Sequence, residues 1–431
     1  MTGHKDIGAG LPAWRVACLG AILIPAAGAS RPARPALQVH TDFPGGSGQV
    51  IRIDQDKRVI RLRPSSHPGR GWACWWYVRL SGTRPGEAIA CEIEGTPWAW
   101  PKRAAIRAAD GTWGQTAAGR RRKKRPGEKA DAMVYGCRAP GREVWLAWGP
   151  PYLPRRAEAL IAAAEKACPR AKGFALCRTR EARPVPALRV SQRASGGARR
   201  RGVWVQARQH AWEAGSSWVA QGFVQWLVSD DPRARALRAA ADVTVVPIMD
   251  VDNVVRGAGG KGQEPHDHNR DWCDRPHWRS VAAAIREIRR LAGDGRFDVF
   301  VDLHNPAPGD GEPFFYVPPA DELSELQARN LRHFLAAARA ELTGPLAFRG
   351  RTKVSGRNYD KNYRKISKNW VSAHAGEHVL AVTLETAWNT PHSTRENYRR
   401  VGRELGLAIE RYLREGTKRA PKKPAKPAIG E

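Results

Sequence analysis

In the stretch "VQARQHAWEAG" (Val205–Gly215) an imidazole and a carboxylate, His210 and Glu213, stand three residues apart. They fall where an apolar strand-like run gives way to a helix-like one, so they can share a divalent ion or form an ordinary polar pair at a helix entrance. His304 closes a second buried run, "FDVFVDLH" (Phe297–His304), and Glu385 closes a third, "HVLAVTLE" (His378–Glu385). Zinc favours imidazole and carboxylate ligands, and a catalytic zinc site uses three of them with one position left for water. Two neutral imidazoles and one carboxylate leave such an ion with net positive charge, able to acidify that water. His210, Glu213 and His304 are therefore the expected metal ligands. Glu385 emerges from apolar sequence into a half-dry cleft, where burial raises a carboxylate's proton affinity, and is the expected general base. His-x-x-Glu alone is a weak signal; complementary groups at three strand ends make a stronger one.

A polar knot, "HDHNRDW" (His266–Trp272), lies between these runs. Asn269 and Arg270 are suited to gripping a carboxylate, the arginine through its planar fork of donors. His266 and His268 are read as loop residues, because a second imidazole pair would duplicate a ligand set already complete.

These groups need a scaffold. From Gly149 onward, strand-like runs (Val203–Arg208, Asp242–Met249, Phe297–His304, His378–Glu385) alternate with helix-like ones. That alternation predicts an α/β fold, a mixed and mostly parallel sheet flanked by helices, whose chemistry gathers at the carboxyl ends of the strands. Residues 37–148 read differently. Short alternating runs between Gly, Pro and Asp turns predict a smaller antiparallel β-sandwich ahead of the catalytic part. The expected division is 1–29 export signal, 30–36 linker, 37–148 sandwich, 149–415 catalytic domain and 416–431 basic tail. The charge run "GRRRKKRPGEK" (Gly119–Lys129) reads as a solvated hairpin tip.

The chain has 431 residues, and 72 Lys and Arg against 42 Asp and Glu give it a formal charge of +30. Such a field attracts acidic partners. The basic residues are spread over nearly every segment, however, with no single aromatic–basic stripe, which argues against a specific nucleic-acid reader. Lys5 and Arg15, the apolar run Val16–Ala27 and the small-residue sequence Ala27-Gly28-Ala29 resemble a cleavable signal, which predicts a periplasmic or extracellular protein, or a cytoplasmic one if the segment is not a signal. Twelve apolar residues are too few to span a bilayer comfortably, and no later run is long enough. Without Cys18 six cysteines remain, compatible with disulfides (Cys168 and Cys177 are close in sequence) or with buried thiols. No CxxC pattern suggests a thiolate metal site.

Together these residues resemble a known family, the zinc metallocarboxypeptidases of the carboxypeptidase A-like clan, in the branch of the cytosolic carboxypeptidases and their bacterial relatives. The likeness runs through "ARPVPALRV" (Ala182–Val190), "GVWVQARQHAWEAGSSWVAQGFVQWLVSDDP" (Gly202–Pro232) and "VVPIMDVDNVVRG" (Val245–Gly257), with "GPPYLPRRAEALI" similar to the junction after that branch's leading sandwich. The resemblance implies one zinc ion on His210, Glu213 and His304, with Glu385 as base and Asn269 and Arg270 holding a substrate's C-terminal carboxylate. It also implies Asp267 as the acceptor that orients His210, and Tyr363 as the tyrosine that closes over substrate, with Tyr359 nearby. Three positions depart from the family pattern. Ala211 and Trp212 replace the usual Pro-Gly or Ser-Arg between the first two ligands. Asp250-Val251-Asp252-Asn253 replaces Asn-Pro-Asp-Gly. The arginine that steadies the oxyanion is absent from "GAGGKGQEP" (Gly257–Pro265), where Lys261 is the best substitute and Arg256 the next.

The expected function is therefore hydrolysis of the last peptide bond of peptides or proteins, with the basic balance favouring acidic ends. The alternatives are a zinc amidohydrolase of the same clan, acting on N-acyl amino acids or envelope peptides, and a non-catalytic binder of anionic polymers.

Overall fold

Apolar runs too long to alternate with polar residues cannot sit at a solvated sheet face, so they collect in the middle of a sheet covered on both sides. The computed structural model, which describes residues 34–65, 69–191 and 200–416, places them there. Its largest sheet has eight strands: β1 (Ala171–Arg178), β2 (Pro184–Val190), β3 (Arg201–Ala207), β4 (Ala241–Val246), β5 (Val299–His304), β6 (Phe314–Val317), β7 (Thr352–Val354) and β8 (Leu380–Glu385). The order across the sheet is β1-β2-β4-β3-β5-β8-β6-β7. The central strands β4, β3, β5 and β8 run parallel. β1 and β2 pair antiparallel, as do β2 with β4 and β6 with β8. Every residue of β5 and of β8 is buried. The expected mixed, mostly parallel architecture is what the chain adopts.

Helices cover the sheet. Among them are α1 (Pro154–Ala167), α2 (Ala214–Leu227) and, near the end of the described chain, α3 (Arg395–Arg414). All but one residue of α2 is buried, because α3 crosses it closely: a Cβ on Gly222 would lie 1.9 Å from the Arg399 carbonyl oxygen. Several short elements have no counterpart in the periodicity reading, including the helices Pro232–Ala240 and Ser367–His374 and the strands β1, β6 and β7.

The preceding region builds two five-stranded sheets. One contains Gln38–His40, Tyr77–Ser81, Glu143–Ala147, Ala105–Arg107 and Trp113–Gln115; the other contains Gln49–Asp54, Val59–Arg63, Ala88–Glu94, Ala132–Arg138 and Arg120–Arg122. Alternate residues such as Ile60 and Leu62, Val78 and Leu80, and Val144 and Leu146 are fully buried, as a two-layer packing requires. Pairing is antiparallel except between Val59–Arg63 and Ala88–Glu94, which run parallel. The charge run Gly119–Lys129 is largely exposed, as a solvated tip should be, but several of its cations are paired. Arg122 is bound to Glu92 and Glu128, and Arg121 and Lys123 to Asp131. From Ala36 on, the described chain forms one compact unit, the leading sheets packed on the catalytic one.

Cys74, Cys91, Cys137, Cys168, Cys177 and Cys273 are all free thiols, so Cys168 and Cys177 do not pair. The expected export signal, residues 1–29, and nearly all of the basic tail lie outside the described residues. No helix among the described residues is long and apolar enough to cross a membrane.

Candidate active site

Parallel neighbours β5 and β8 end in register, with His304 opposite Glu385, so both side chains leave the same face at the same level. β3 lies on the other side of β5 and delivers His210 three residues beyond its end. The turn that follows is held from several directions. Trp212 donates its backbone N–H to the Gly259 carbonyl, and the Arg208 guanidinium donates to the Ala211 carbonyl at 2.6 Å. Arg208 is buried, has a left-handed backbone (φ 65°) and also bonds Tyr152 O and Ser217 Oγ. Burial pulls its pKa down to about 9. A buried arginine with a left-handed backbone thus braces the turn that carries His210 and Glu213, an arrangement that sequence patterns do not reveal.

His210, Glu213 and His304 converge. Each offers a ligand atom, and these atoms lie within 4.8 Å of one another. The two Glu213 oxygens sit 2.7 Å from His210 Nδ1 and 2.7 Å from His304 Nδ1. On the far side of each ring stands another carboxylate: Asp302 Oδ2 is 2.9 Å from His304 Nε2, and Asp267 Oδ2 is 3.6 Å from His210 Nε2. Two imidazoles turned by outer carboxylates so that their Nδ1 atoms share one inner carboxylate form a donor set that fits zinc. Burial disfavours charge on all of these groups, yet mutual attraction wins. Glu213 is held well below the usual carboxylate range by the two histidines, and His304 well above its ordinary value by Asp302 and Glu213.

Asp302 was not among the expected residues. It sits two positions before His304 on β5, and since strand side chains alternate, it shares that ligand's face. Gln209 Nε2 and Ser367 Oγ donate to its Oδ2 as well. Asp302→Asn, which removes the charge that fixes the His304 ring, is expected to weaken zinc binding roughly 10–100-fold in a chelator competition.

The cluster opens into a cavity of about 340 Å³ that also contains Glu385, Lys261, Asn269 and Arg270. Glu385 is 8% exposed and its Oε2 has no hydrogen-bond partner. Burial pushes its pKa up to about 8; His304 and Lys261 pull it down, while Glu213 and Asp302 add to the rise. Lys261 Nζ lies 3.4 Å from His210 Nε2. Its loop turns through Gly260 (φ 74°), where a Cβ would meet Asp250 Oδ2 at 2.6 Å and Ala211 N at 2.8 Å. Arg256, the other oxyanion candidate, is instead bound to Glu181 and lines a separate cavity. Asn269 accepts from the Ser367 N–H at 2.9 Å and brings its Nδ2 to 3.4 Å from His304 Nε2. Arg270 donates through Nε to Asp360 and through Nη1 to the Asn269 carbonyl, leaving Nη2 uncommitted among the described residues.

His268 stacks on Trp278 (centroids 4.8 Å, 8°) away from the cluster, and His266 offers its carbonyl to the same indole. Tyr363 is placed differently from the sequence expectation. Its hydroxyl donates to Glu322, and the cavity wall carries Tyr359 in its stead, packed between the Arg270 guanidinium and Tyr316. A second cavity residue missed from sequence is Lys368, fully buried and donating to Ser355 Oγ and to Asn369 Oδ1.

Comparison with known proteins agrees with this arrangement. Over 134 residues the chain is 31% identical to cytosolic carboxypeptidase 2 of Danio rerio, covering 30% of this chain and 19% of that protein. Over 70 residues it is 34% identical to human cytosolic carboxypeptidase 1, covering 16% of this chain and 6% of that protein. The chain thus spans a minor part of these curated relatives. Its fold is that of a metallo-carboxypeptidase from Burkholderia cenocepacia (TM-score 0.75, 22% identity, 88% of this chain and 99% of that one). A metallo-carboxypeptidase from Pseudomonas aeruginosa is similar (TM-score 0.70, 18% identity, 88% and 99%). Residues 157–426, well over half of the sequence, match the family described as zinc carboxypeptidase, and the chain belongs to that family.

Proposed function

We propose that this protein is a zinc-dependent metallocarboxypeptidase that removes the C-terminal residue of peptides or proteins, with one zinc ion per chain and a preference for acidic ends. The observation that carries the proposal is one cavity that brings together three buried groups able to hold a metal, a carboxylate kept protonatable near neutrality and an arginine with an uncommitted donor. His210, Glu213 and His304 would hold the metal, which when bound supplies Lewis acidity toward water and the scissile carbonyl.

The chain's own residues do the rest. Glu385 takes a proton from the attacking water and returns it to the leaving amine, two tasks suited to a pKa near the working pH. Lys261 donates to the carbonyl oxygen as negative charge develops there; it is a point donor where an arginine would present a fork. Arg270 and Asn269 hold the terminal carboxylate and so set which bond lies against the cluster. Tyr359, from its position beside Arg270, takes the closing role that the family pattern gave to Tyr363. Asp267 orients His210 and Asp302 orients His304. Export directed by residues 1–29 is part of the same proposal.

Lys368 supports the acidic preference. Its hydrogen bonds go to neutral oxygens, and burial, reinforced by Arg270, depresses its pKa well below the ordinary lysine value. Asp302, Glu322 and Glu385 oppose that depression only from a distance, and a substrate carboxylate would bring a counter-charge into direct contact with the amine.

The test is a panel of peptides differing only in the last residue, joined by an N-acyl amino acid and run with and without a chelator. Peptides ending in Glu are expected to outrun those ending in Leu by about 10-fold in kcat/KM, the scale of one charge-assisted hydrogen bond. Lys368→Met is expected to bring the Glu:Leu ratio near one. Equal rates for both ends would remove the acidic preference, and trimming that survives the chelator would remove zinc. Faster cleavage of the N-acyl amino acid would favour the amidohydrolase alternative. A protein that binds no metal and cleaves nothing would be the anionic-polymer binder.

A further inference from the structure

Three indoles share the cavity with the metal cluster, and two of them come from the leading β-domain. Trp72 lies between the strands Val59–Arg63 and Tyr77–Ser81, and Trp98 in the turn Pro97–Ala99, yet both line the cavity. Their centroids are 4.4 Å apart, and Trp98 meets Trp212 edge-on at 6.3 Å and 80°. Trp212 stands between two metal ligands in the chain and is backed by Trp148 at 5.3 Å and Trp388 at 4.9 Å. Trp212 is buried with its indole N–H unpartnered, while Trp72 and Trp98 remain only half-buried.

The location of this wall follows from its backbone contacts. The Trp72 N–H donates to the Lys261 carbonyl at 3.0 Å, and the Glu264 N–H to the Arg70 carbonyl at 3.1 Å. The aromatic wall is thus fastened to the loop that carries Lys261, on the His210 flank of the cluster. The groups that would hold a terminal carboxylate are tied to other elements, Arg270 to Asp360 and Tyr359 to Tyr316. A peptide anchored at Arg270, with its scissile carbonyl between the cluster and Lys261, leads its preceding residue toward Trp72 and Trp98.

We propose that Trp72, Trp98 and Trp212 form a subsite, built from the leading sheets' connections and from the turn after β3, for an aromatic or large aliphatic side chain on the residue preceding the scissile bond. The proposal rests on the carboxypeptidase reading of the same cavity. Indole faces bind flat apolar groups by area and by offset or edge-on contact, and they hold them best at a partly dry centre. Lys261, its Nζ 6.0 Å from the Trp72 centroid, occupies the cation–π position itself and repels a basic side chain there.

The test uses zinc-loaded, full-length protein and peptides that share a terminal Glu but carry Phe, Leu, Gly, Glu or Lys before it. Phe and Leu are expected to exceed Gly by roughly 10-fold in kcat/KM. In Trp98→Ala the Phe:Gly ratio falls toward one, and Trp98→Phe restores most of it. The alanine variant keeps the backbone carbonyl that accepts from Trp148 Nε1, and its folding is checked by thermal unfolding. A Phe:Gly ratio near one in the wild type overturns the subsite, as does a ratio surviving both Trp98→Ala and Trp72→Ala, or Glu or Lys outrunning Phe. If the alanine variants do not fold, the wild-type panel and Trp98→Phe decide. Cleavage of the Gly peptide without selectivity removes the subsite alone. Failure to cleave any peptide removes the carboxypeptidase reading and the subsite with it.

Discussion

Replacing Glu385 by glutamine is expected to lower kcat by at least ~10²-fold while zinc content stays at the wild-type level. The substitution preserves shape and polarity but removes the ability to accept a proton, and Glu385 stands outside the three-ligand cluster, so the metal keeps its donors. Glu385 ends β8 beside His304 and is pushed up to about 8 by burial, the condition of a group that can both take and give a proton near neutrality. Steady-state kinetics beside metal analysis of the same preparation provide the check. Near-normal turnover by Glu385→Gln would strip this residue of the base role. Loss of zinc along with activity would show it to be part of the metal site instead.

Arg270 carries the second large effect. Arg270→Leu is expected to reduce kcat/KM by about 10²–10³-fold on peptides with a free terminal carboxylate, since removing one side of a buried charged pair costs about 2–5 kcal/mol. A peptide ending in an amide lacks that carboxylate, so the wild-type enzyme should cleave it poorly and the variant little worse. The two losses therefore converge. If wild type cleaved amide-capped and free peptides equally, Arg270 would have no part in registering the bond. Arg270 also bonds Asp360 and lies beneath Tyr359, so a melting curve must accompany the kinetics.

The principal strands and candidate ligands were legible because β3, β5 and β8 are mostly apolar runs, broken only by residues such as Gln206, Asp302 and Thr383, that give way to polar residues at or just beyond their ends. An apolar strand ending in His or Glu announces both its burial and the group it delivers. What was not legible depends on three-dimensional neighbours. Asp302 was hidden as one letter of a buried run, although its spacing of two from His304 was the available clue. Tyr359 and Tyr363 lie in a segment with no periodicity, and only the Glu322 contact of one and the Arg270 contact of the other separate them. Lys261 and Arg256 were likewise divided by partners, His210 against Glu181. Lys368 was not singled out, because only its burial separates it from the many other lysines and arginines. Arg208 owes its role to a left-handed backbone that no residue pattern encodes. The charge run at Arg120–Lys124 suggested solvated cations; most of them are exposed, yet Arg122 is held by Glu92 and Glu128 and Arg121 and Lys123 by Asp131, pairings that the sequence did not announce.

The main-chain bond between Trp72 and Lys261 makes the leading sheets a structural parent of the reaction chamber as well as its neighbour. Grafting a different front half onto residues 149–431 would redraw one side of that chamber and loosen the lysine's anchorage, even with each metal ligand untouched. On the carboxypeptidase reading proposed above, an exchange of this front half is expected to alter selectivity while leaving His210, Glu213 and His304 in place.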